Sequence, residues 1–265
     1  MRETLNIALG QIELFDGDIE KNKNIIEKFI EQNNLSDVDM VCFPELSLTG
    51  YEFDVIKEKD TNEITKSFFS QLSKKYNVAI VAGISNYLKG RFYDSAALWD
   101  ENGKLICIHN KIHLWDQERL FFETGRDFQV IDYKGWKIGI SLCADVGFPE
   151  VSRIFALKNA EIIIFPSAWA APYEDLWTLM LRARAAENQL YVVGVNRTGK
   201  GLYSNYCGYS MIVDPSGNIN KQFNNEQGML VDKLIKKSIV QRRKEIPWLN
   251  YRIPELYSDI CRTQV

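Results

Sequence analysis

Short runs of aliphatic and β-branched residues alternate along the chain with longer stretches whose apolar positions recur every three or four residues. The runs predict strands at 5–11, 38–45, 77–85, 136–143, 160–167 and 189–196. The longer stretches predict helices at 19–33, 61–76, 151–159 and 173–188. Runs such as "IIIF" and "VAIVAG" show no polar alternation, so their sheets should be covered on both faces. The two halves also match in order. "LNIALGQ" pairs with "WKIGISLC", "VDMVCFPE" with "AEIIIFPS", and "NVAIVAGIS" with "QLYVVGVN". "SAALWDENGKLI" and "SMIVDPSGNI" are both strand, Asp- and Gly-containing turn, strand. Four matches in one order predict a pseudo-twofold α/β fold: two sheets packed face to face, one from each half, with helices outside.

Composition narrows the classes of function. Charged residues of both signs are spread along the chain and sum to −3, which leaves no electrostatic footprint for nucleic acid or an anionic membrane. The N-terminus reads as a strand, without a signal peptide's apolar core and cleavage site. The most apolar run, "IIIFPSAWAAP", is short of the roughly 20 residues needed to span a bilayer. Cys42, Cys107, Cys143, Cys207 and Cys261 form no Cys-x-x-Cys pair, and His109 and His113 are the only histidines. No metal and no cofactor is expected from this set, and a reducing cytoplasm suits it. Since no Pro/Gly/Ser-rich linker divides the halves, residues 1–265 are expected to form one domain.

Sites in doubly covered sheets form where strands end. "KIGISLCADVGFPE" is a strand, an abrupt turn and a helix start, with Cys143 at the corner. Pro149 marks that helix start, whose positive end should aid a thiolate. No histidine is well placed, so a carboxylate should be the base and a lysine the electrostatic partner. Glu45 leaves a buried strand through Pro44, and Lys111 follows another strand in "HNKIHLW". Either residue alone also reads as a solvated strand end.

"FPELSLTGY", "NKIHLW…ERLFFETG" and "SLCADVGFPE", in this order and spacing, resemble the nitrilase (carbon–nitrogen hydrolase) superfamily, amidase-like branch. "RARAAENQLYVVGVN", "GYSMIVDPSGNI" and "RRKEIPWLNYRIPELY" extend the resemblance over nearly the whole chain. It implies a four-layer αββα sandwich, often a homodimer or higher homo-oligomer, with residues from about 240 to 265 as an arm at the subunit interface. It also implies a Glu-Lys-Cys triad. Glu45 would be the general base, Lys111 would hold positive charge near the oxyanion, and Cys143 would be the nucleophile. The backbone N–H of Ala144 would be a second oxyanion donor. Glu118 matches the second glutamate that many members use to position substrate and lysine, although "DQER" also reads as a charged helix start. Trp169, Tyr51 and Trp115 are assigned to the substrate pocket, with core packing as the competing reading.

The implied reaction cleaves a small aliphatic carboxamide to acid and ammonia through a thioester on Cys143. Ala144-Asp145 after the cysteine departs from the Trp-Glu of true nitrilases, and Asp145 favours the amidase side. Members that cleave N-carbamoyl amino acids tend to carry arginines where Val146 and Gly147 stand here, so a clamp for a substrate carboxylate would have to come from another arginine, such as Arg197. N-carbamoyl hydrolysis is therefore the alternative, followed by nitrile hydrolysis and a non-catalytic scaffold.

Overall fold

The computed structural model describes residues 2–58 and 61–262. In chain order the first half contains β1 (Thr4–Gln11), α1 (Ile19–Glu31), β2 (Met40–Cys42), α2 (Phe53–Lys57), α3 (Thr61–Tyr76), β3 (Ala79–Leu88), β4 (Arg91–Trp99) and β5 (Leu105–Asn110). The second half follows with α4 (Glu118–Phe121), β6 (Val130–Tyr133), β7 (Trp136–Ile140), α5 (Pro149–Leu157), β8 (Ile162–Ser167), α6 (Glu174–Asn188) and β9 (Tyr191–Asn196). A small ribbon, β10 (Thr198–Lys200) and β11 (Asn205–Cys207), then leads to β12 (Met211–Val213), β13 (Ile219–Gln222), β14 (Gly228–Ile235) and α7 (Lys236–Glu245). Among the described residues no helix is long and apolar enough to cross a membrane.

The strands form two six-stranded sheets, ordered β14-β1-β2-β3-β4-β5 and β6-β7-β8-β9-β12-β13. Position by position, both carry the same sequence of antiparallel, parallel, parallel, antiparallel and antiparallel pairings. The predicted internal repeat is therefore a repeat of topology, with one exchange. The C-terminal β14 supplies the first sheet's edge strand, pairing with β1 from Thr4↔Ile235 to Gln11↔Gly228.

Alternate residues of each strand enter different apolar layers, which is why the runs lack polar positions. Leu5, Ile7 and Leu9 of β1 face Ile138, Ile162 and Val193 of the second sheet in the central layer. Ala8, Val41 and Ile80 turn outward onto Ile26, Ile30 and Phe69 of α1 and α3. Ile163, Phe165 and Val192 turn outward onto Phe155, Trp177 and Leu181 of α5 and α6. The result is the αββα sandwich. Each fully buried side chain of this size contributes roughly 1.5–3 kcal/mol.

Local chemistry sets the element ends. The Asp18 carboxylate caps α1 by accepting from Lys21 N, and Pro149 opens α5 at a position that needs no N–H donor. The two repeat turns use one device: Asp100 accepts from Asn102 N and Lys104 N, and Asp214 from Ser216 N and Asn218 N. β2 stops at Cys42, short of the expected Glu45, because Pro44 has no N–H for the ladder and the chain lifts away toward the other half. β7 likewise ends before Cys143, which begins a separate 3₁₀ turn over Cys143–Gly147. After α7 the chain runs through short turns that leave Trp248, Tyr251, Leu256 and Ile260 exposed.

Gly83 on β3 lets the segment carrying Glu45 pass over the sheet. Its amide donates to Pro44 O at 2.9 Å, and its carbonyl accepts from Ser47 N at 2.8 Å. A Cβ there would stand 2.3 Å from Glu45 Cα. Gly83→Ala should therefore cost about 1–3 kcal/mol in urea unfolding. Gly147→Ala, where a Cβ meets nothing within 4 Å, should be close to neutral.

Candidate active site

Three strand ends and one short helix bring the predicted ionisable residues together. Lys111 follows β5 and is completely buried. Its Nζ lies 2.7 Å from Glu45 Oε1, 2.7 Å from Glu118 Oε1 and 3.2 Å from Asp94 Oδ2. Glu45 lies on the turn after β2, and its Oε2 accepts from the Tyr51 hydroxyl at 2.9 Å and from Ala168 N at 2.9 Å. Ala168 follows β8, the repeat partner of β2, so this carboxylate bridges the two halves. Glu118 opens α4: its Oε2 accepts from Trp115 N at 2.9 Å while its own N–H donates to Trp115 O at 3.0 Å. That reciprocal pair fixes the carboxylate toward Lys111, so Glu118 is both a helix start and a member of the cluster.

Glu45, Asp94 and Glu118 place carboxylate oxygens within 4.8 Å of one another, a spacing suited to a cation. The Lys111 ammonium is that cation. Burial opposes its charge, but Glu118, Glu45 and Asp94 outweigh burial and hold it well above the usual lysine range. One ammonium does not balance three carboxylates. Burial, then the charge of Glu45, pushes Asp94 well above the usual carboxylate range, and burial also raises Glu118. The Tyr51 hydroxyl, 2.9 Å from Glu45 Oε2 and 3.0 Å from Glu118 Oε1, has one proton for two acceptors. Both contacts are hydrogen bonds at once only when a carboxyl carries a proton, which agrees with the excess of acids.

Cys143 lines a cavity of ≈ 580 Å³ together with Glu118, Ala144, Tyr51, Trp115 and Trp169. Glu45 and Lys111 are fully buried beneath it and touch the lining through Tyr51, Glu118 and Ala168. A smaller hollow of ≈ 210 Å³ beside Gln189, Arg243 and Pro247 holds none of these groups. Cys143 has φ +34°, in the left-handed region that a side chain rarely adopts, and is only 8 % exposed. Burial, then Glu45, pushes its thiol well above the usual range, with Lys111 pulling the other way. As expected, α5 begins at Pro149, separated from Cys143 by the 3₁₀ turn.

Two anchors hold that turn. Asp145 accepts from Ser141 Oγ at 2.7 Å and His113 N at 2.9 Å, with His113 Nδ1 at 2.8 Å. Burial works against its charge, yet these donors keep its carboxyl below the usual range. Asp145 thus ties the cysteine turn to the Lys111 segment. From α6, Arg184 donates through Nε to Val146 O at 2.8 Å and through Nη2 to Gly147 O at 3.0 Å.

Sequence reasoning missed Asp94, Arg184 and the pairing of Asp145 with His113. Two of these left a signal: Asp94 interrupts the apolar strand "RFYDSAALW", and Arg184 falls on the buried stripe of Trp177 and Leu181. Trp169 satisfies both of its readings, lining the cavity while its ring packs 5.4 Å from that of Trp177. Trp115 stands 67 % exposed at the mouth. Tyr51 belongs to the carboxylate network as well as to the wall. Arg197 is not a substrate clamp: it is fully buried, bonded to Asp16 Oδ1 at 2.7 Å and to Leu14 O, with its guanidinium 4.2 Å from the Tyr206 ring centre.

Comparison with known proteins agrees with this architecture. The carbon–nitrogen hydrolase family profile matches residues 6–244. A protein described as a hydrolase in the agr operon of Staphylococcus aureus is 31% identical, over 92% of this chain and 96% of its own length. A 2-oxoglutaramate amidase of Bacillus subtilis is 29% identical, over 95% of this chain and 98% of its own. The crystal structure of Saccharomyces cerevisiae Nit3, a member of branch 10 of the nitrilase superfamily, superposes with a TM-score of 0.87 at 27% identity. It covers 93% of this chain and 96% of that one.

Apart from the 3.2 Å ion pair between Asp94 Oδ2 and Lys111 Nζ, neither Asp94 carboxylate oxygen has a hydrogen-bond partner. A carboxyl whose folded pKa is raised lends stability below its unfolded value near 4 and withdraws it as pH climbs through the folded value. Asp94→Asn keeps the shape and removes that loss. Its stability relative to the parent should therefore grow between pH 5 and pH 8, reaching about 1–3 kcal/mol, the cost of an unpartnered buried group. Denaturant unfolding at several pH values checks this.

Proposed function

Because this chain belongs to the carbon–nitrogen hydrolase family, whose members hydrolyse C–N bonds, we propose that it cleaves a linear carboxamide to acid and ammonia through a thioester on Cys143. One observation carries the reading: the buried Glu45–Lys111–Glu118 cluster underlies the cavity that Cys143 lines. A scaffold has no need of such a cluster, because each buried charge costs several kcal/mol of desolvation.

Cys143 sulfur attacks the amide carbon as its proton passes to Glu45. The N–H of Ala144 and the positive charge of Lys111 stabilise the oxyanion, donors of this type being worth about 10²–10³ in rate. Glu45 returns the proton to the departing ammonia, leaving the acyl group on sulfur. Water then loses a proton to Glu45 and attacks the thioester, and Cys143 leaves with a proton restored. Glu118 keeps Lys111 in place and Tyr51 keeps Glu45 in place. Burial and the charge of Glu45 push the thiol upward, which favours attack assisted by a base.

The N-carbamoyl alternative has less support, as Arg197 is occupied elsewhere. The cytoplasmic setting stays part of the proposal, all five cysteines being unpaired. So does a homo-oligomer, for which the exposed Trp248, Tyr251 and Leu256 supply an apolar surface. Light scattering of the full chain should return at least twice the mass of one chain; a monomer mass would remove the oligomer.

Ammonia and carbon dioxide release from amides and N-carbamoyl compounds tests the chemistry. Amides should yield ammonia alone. Cys143→Ala should abolish release while remaining folded, and Glu45→Gln should lose at least about 10²-fold. Melts must accompany the rates, because Glu45 also neutralises a buried lysine. If activity falls only with the folded fraction, Glu45 is structural and the mechanism is wrong.

A further inference from the structure

We infer that the acyl group accepted by this site is bulky, apolar and uncharged, an aryl or branched-alkyl amide, and that amides bearing a distal carboxylate are rejected. The inference rests on the carboxamide reading above and deepens it. Only one end of the ≈ 580 Å³ cavity is needed for a carboxamide head group beside Cys143 and Glu118. Since ammonia leaves, the remaining space belongs to the acyl chain. Trp115, Phe148, Trp169, Tyr173, Tyr203 and Leu176 stand around that space. Phe148, Tyr173 and Tyr203 are 40%, 57% and 57% exposed, so this apolar surface still faces water and gains from being covered. The wall beside the nucleophile is kept low by Ala144 and Gly147, and a Cβ on Gly147 would meet nothing within 4 Å.

Charge points the same way. Among the described residues, no lysine or arginine lines the cavity, whereas Asp116 and Glu118 do. The nearby cations are already committed. Lys111 is held by three carboxylates, Arg184 by the carbonyls of Val146 and Gly147, and Arg197 by Asp16 and Leu14. A carboxylate on the acyl chain would lose its water, meet two acids and find no donor fork. This pocket therefore differs from what the name 2-oxoglutaramate amidase requires of its relative, whose substrate carries a carboxylate.

The test compares 3-phenylpropionamide, propionamide, pentanamide, succinamate and 4-aminobutanamide. Ammonia release is measured with the parent protein, and calorimetric binding with Cys143→Ala protein. A methylene fitted to an apolar pocket changes kcat/KM by about 10–200-fold. Accordingly 3-phenylpropionamide should exceed propionamide by at least about tenfold, and succinamate should fall at least about tenfold below pentanamide. Gly147→Leu, which fills the open wall, should shrink the aryl preference, and Leu176→Arg should raise succinamate relative to pentanamide. Binding should rank the compounds in the same order. Equal or better handling of succinamate than pentanamide, of propionamide than the aryl amide, or of the cationic amide than pentanamide overturns the inference. If no amide is hydrolysed but binding keeps the expected order, the pocket assignment stands and the carboxamide chemistry fails. If ammonia is released with the order reversed, the chemistry stands and the pocket assignment fails.

Discussion

A fully buried lysine ammonium enclosed by three carboxylates is the constraint around which this molecule is arranged. Lys111 is out of reach of solvent, and so are Glu45 and Asp94. Burying such charges is costly unless they are paired at short range, and the 2.7 Å contacts to Glu45 and Glu118 meet that condition. The contacts reach four separate parts of the chain: the exit of β2, strand β4, the exit of β5 and the start of α4. Removing Lys111 would leave three buried carboxylates without their cation. The cluster is thus a requirement on the fold as well as a feature of the site.

The duplicated topology supplies the means of meeting it. Equivalent strands β2 and β8 bring Glu45 and Ala168 together from opposite halves, and the amide of Ala168 donates to the carboxylate. The symmetry is then broken by side chains. The first half and the exit of β5 provide Glu45, Asp94 and Lys111, and the second half provides Glu118, the cysteine turn, the amide of Ala168 and part of the aromatic wall. Asp145 with His113, and Arg184 with the carbonyls of Val146 and Gly147, keep the turn at a fixed height above the cluster.

Excess acidity has a chemical consequence. Three carboxylates near one ammonium favour retention of protons, and Asp94, Glu118 and the thiol all titrate upward. Burial and the charge of Glu45 work against a thiolate at Cys143, while Lys111, Tyr51 and Ala168 N orient the Glu45 carboxylate beneath the cavity. The cavity above is walled largely by aromatic and aliphatic side chains and, among the described residues, is lined by no lysine or arginine.

The sequence by itself determined the layers and the internal repeat, and it singled out Glu45, Lys111 and Glu118, which the structure clusters, and Cys143, which lines the cavity above them. Strand burial on both faces leaves unbroken apolar runs, and a thiol at a strand-to-helix corner leaves a local pattern, so both are readable along the chain. It did not reveal that β14 completes the first sheet, because an edge strand carries no mark of its distant partner. Nor did it reveal Asp94 as the third carboxylate, Arg184 as the support of the cysteine turn, or Arg197 as a sealed structural cation. An isolated charge in an apolar segment says only that some partner exists. Which partner, and whether that partner leaves it free to meet a substrate, is settled by contacts between residues up to about 180 positions apart, such as Arg197 with Asp16. Those contacts exist only once both sheets are packed. The same holds for the thiol: local sequence showed the helix start, whereas the burial and the charge of Glu45 that push it upward come from packing.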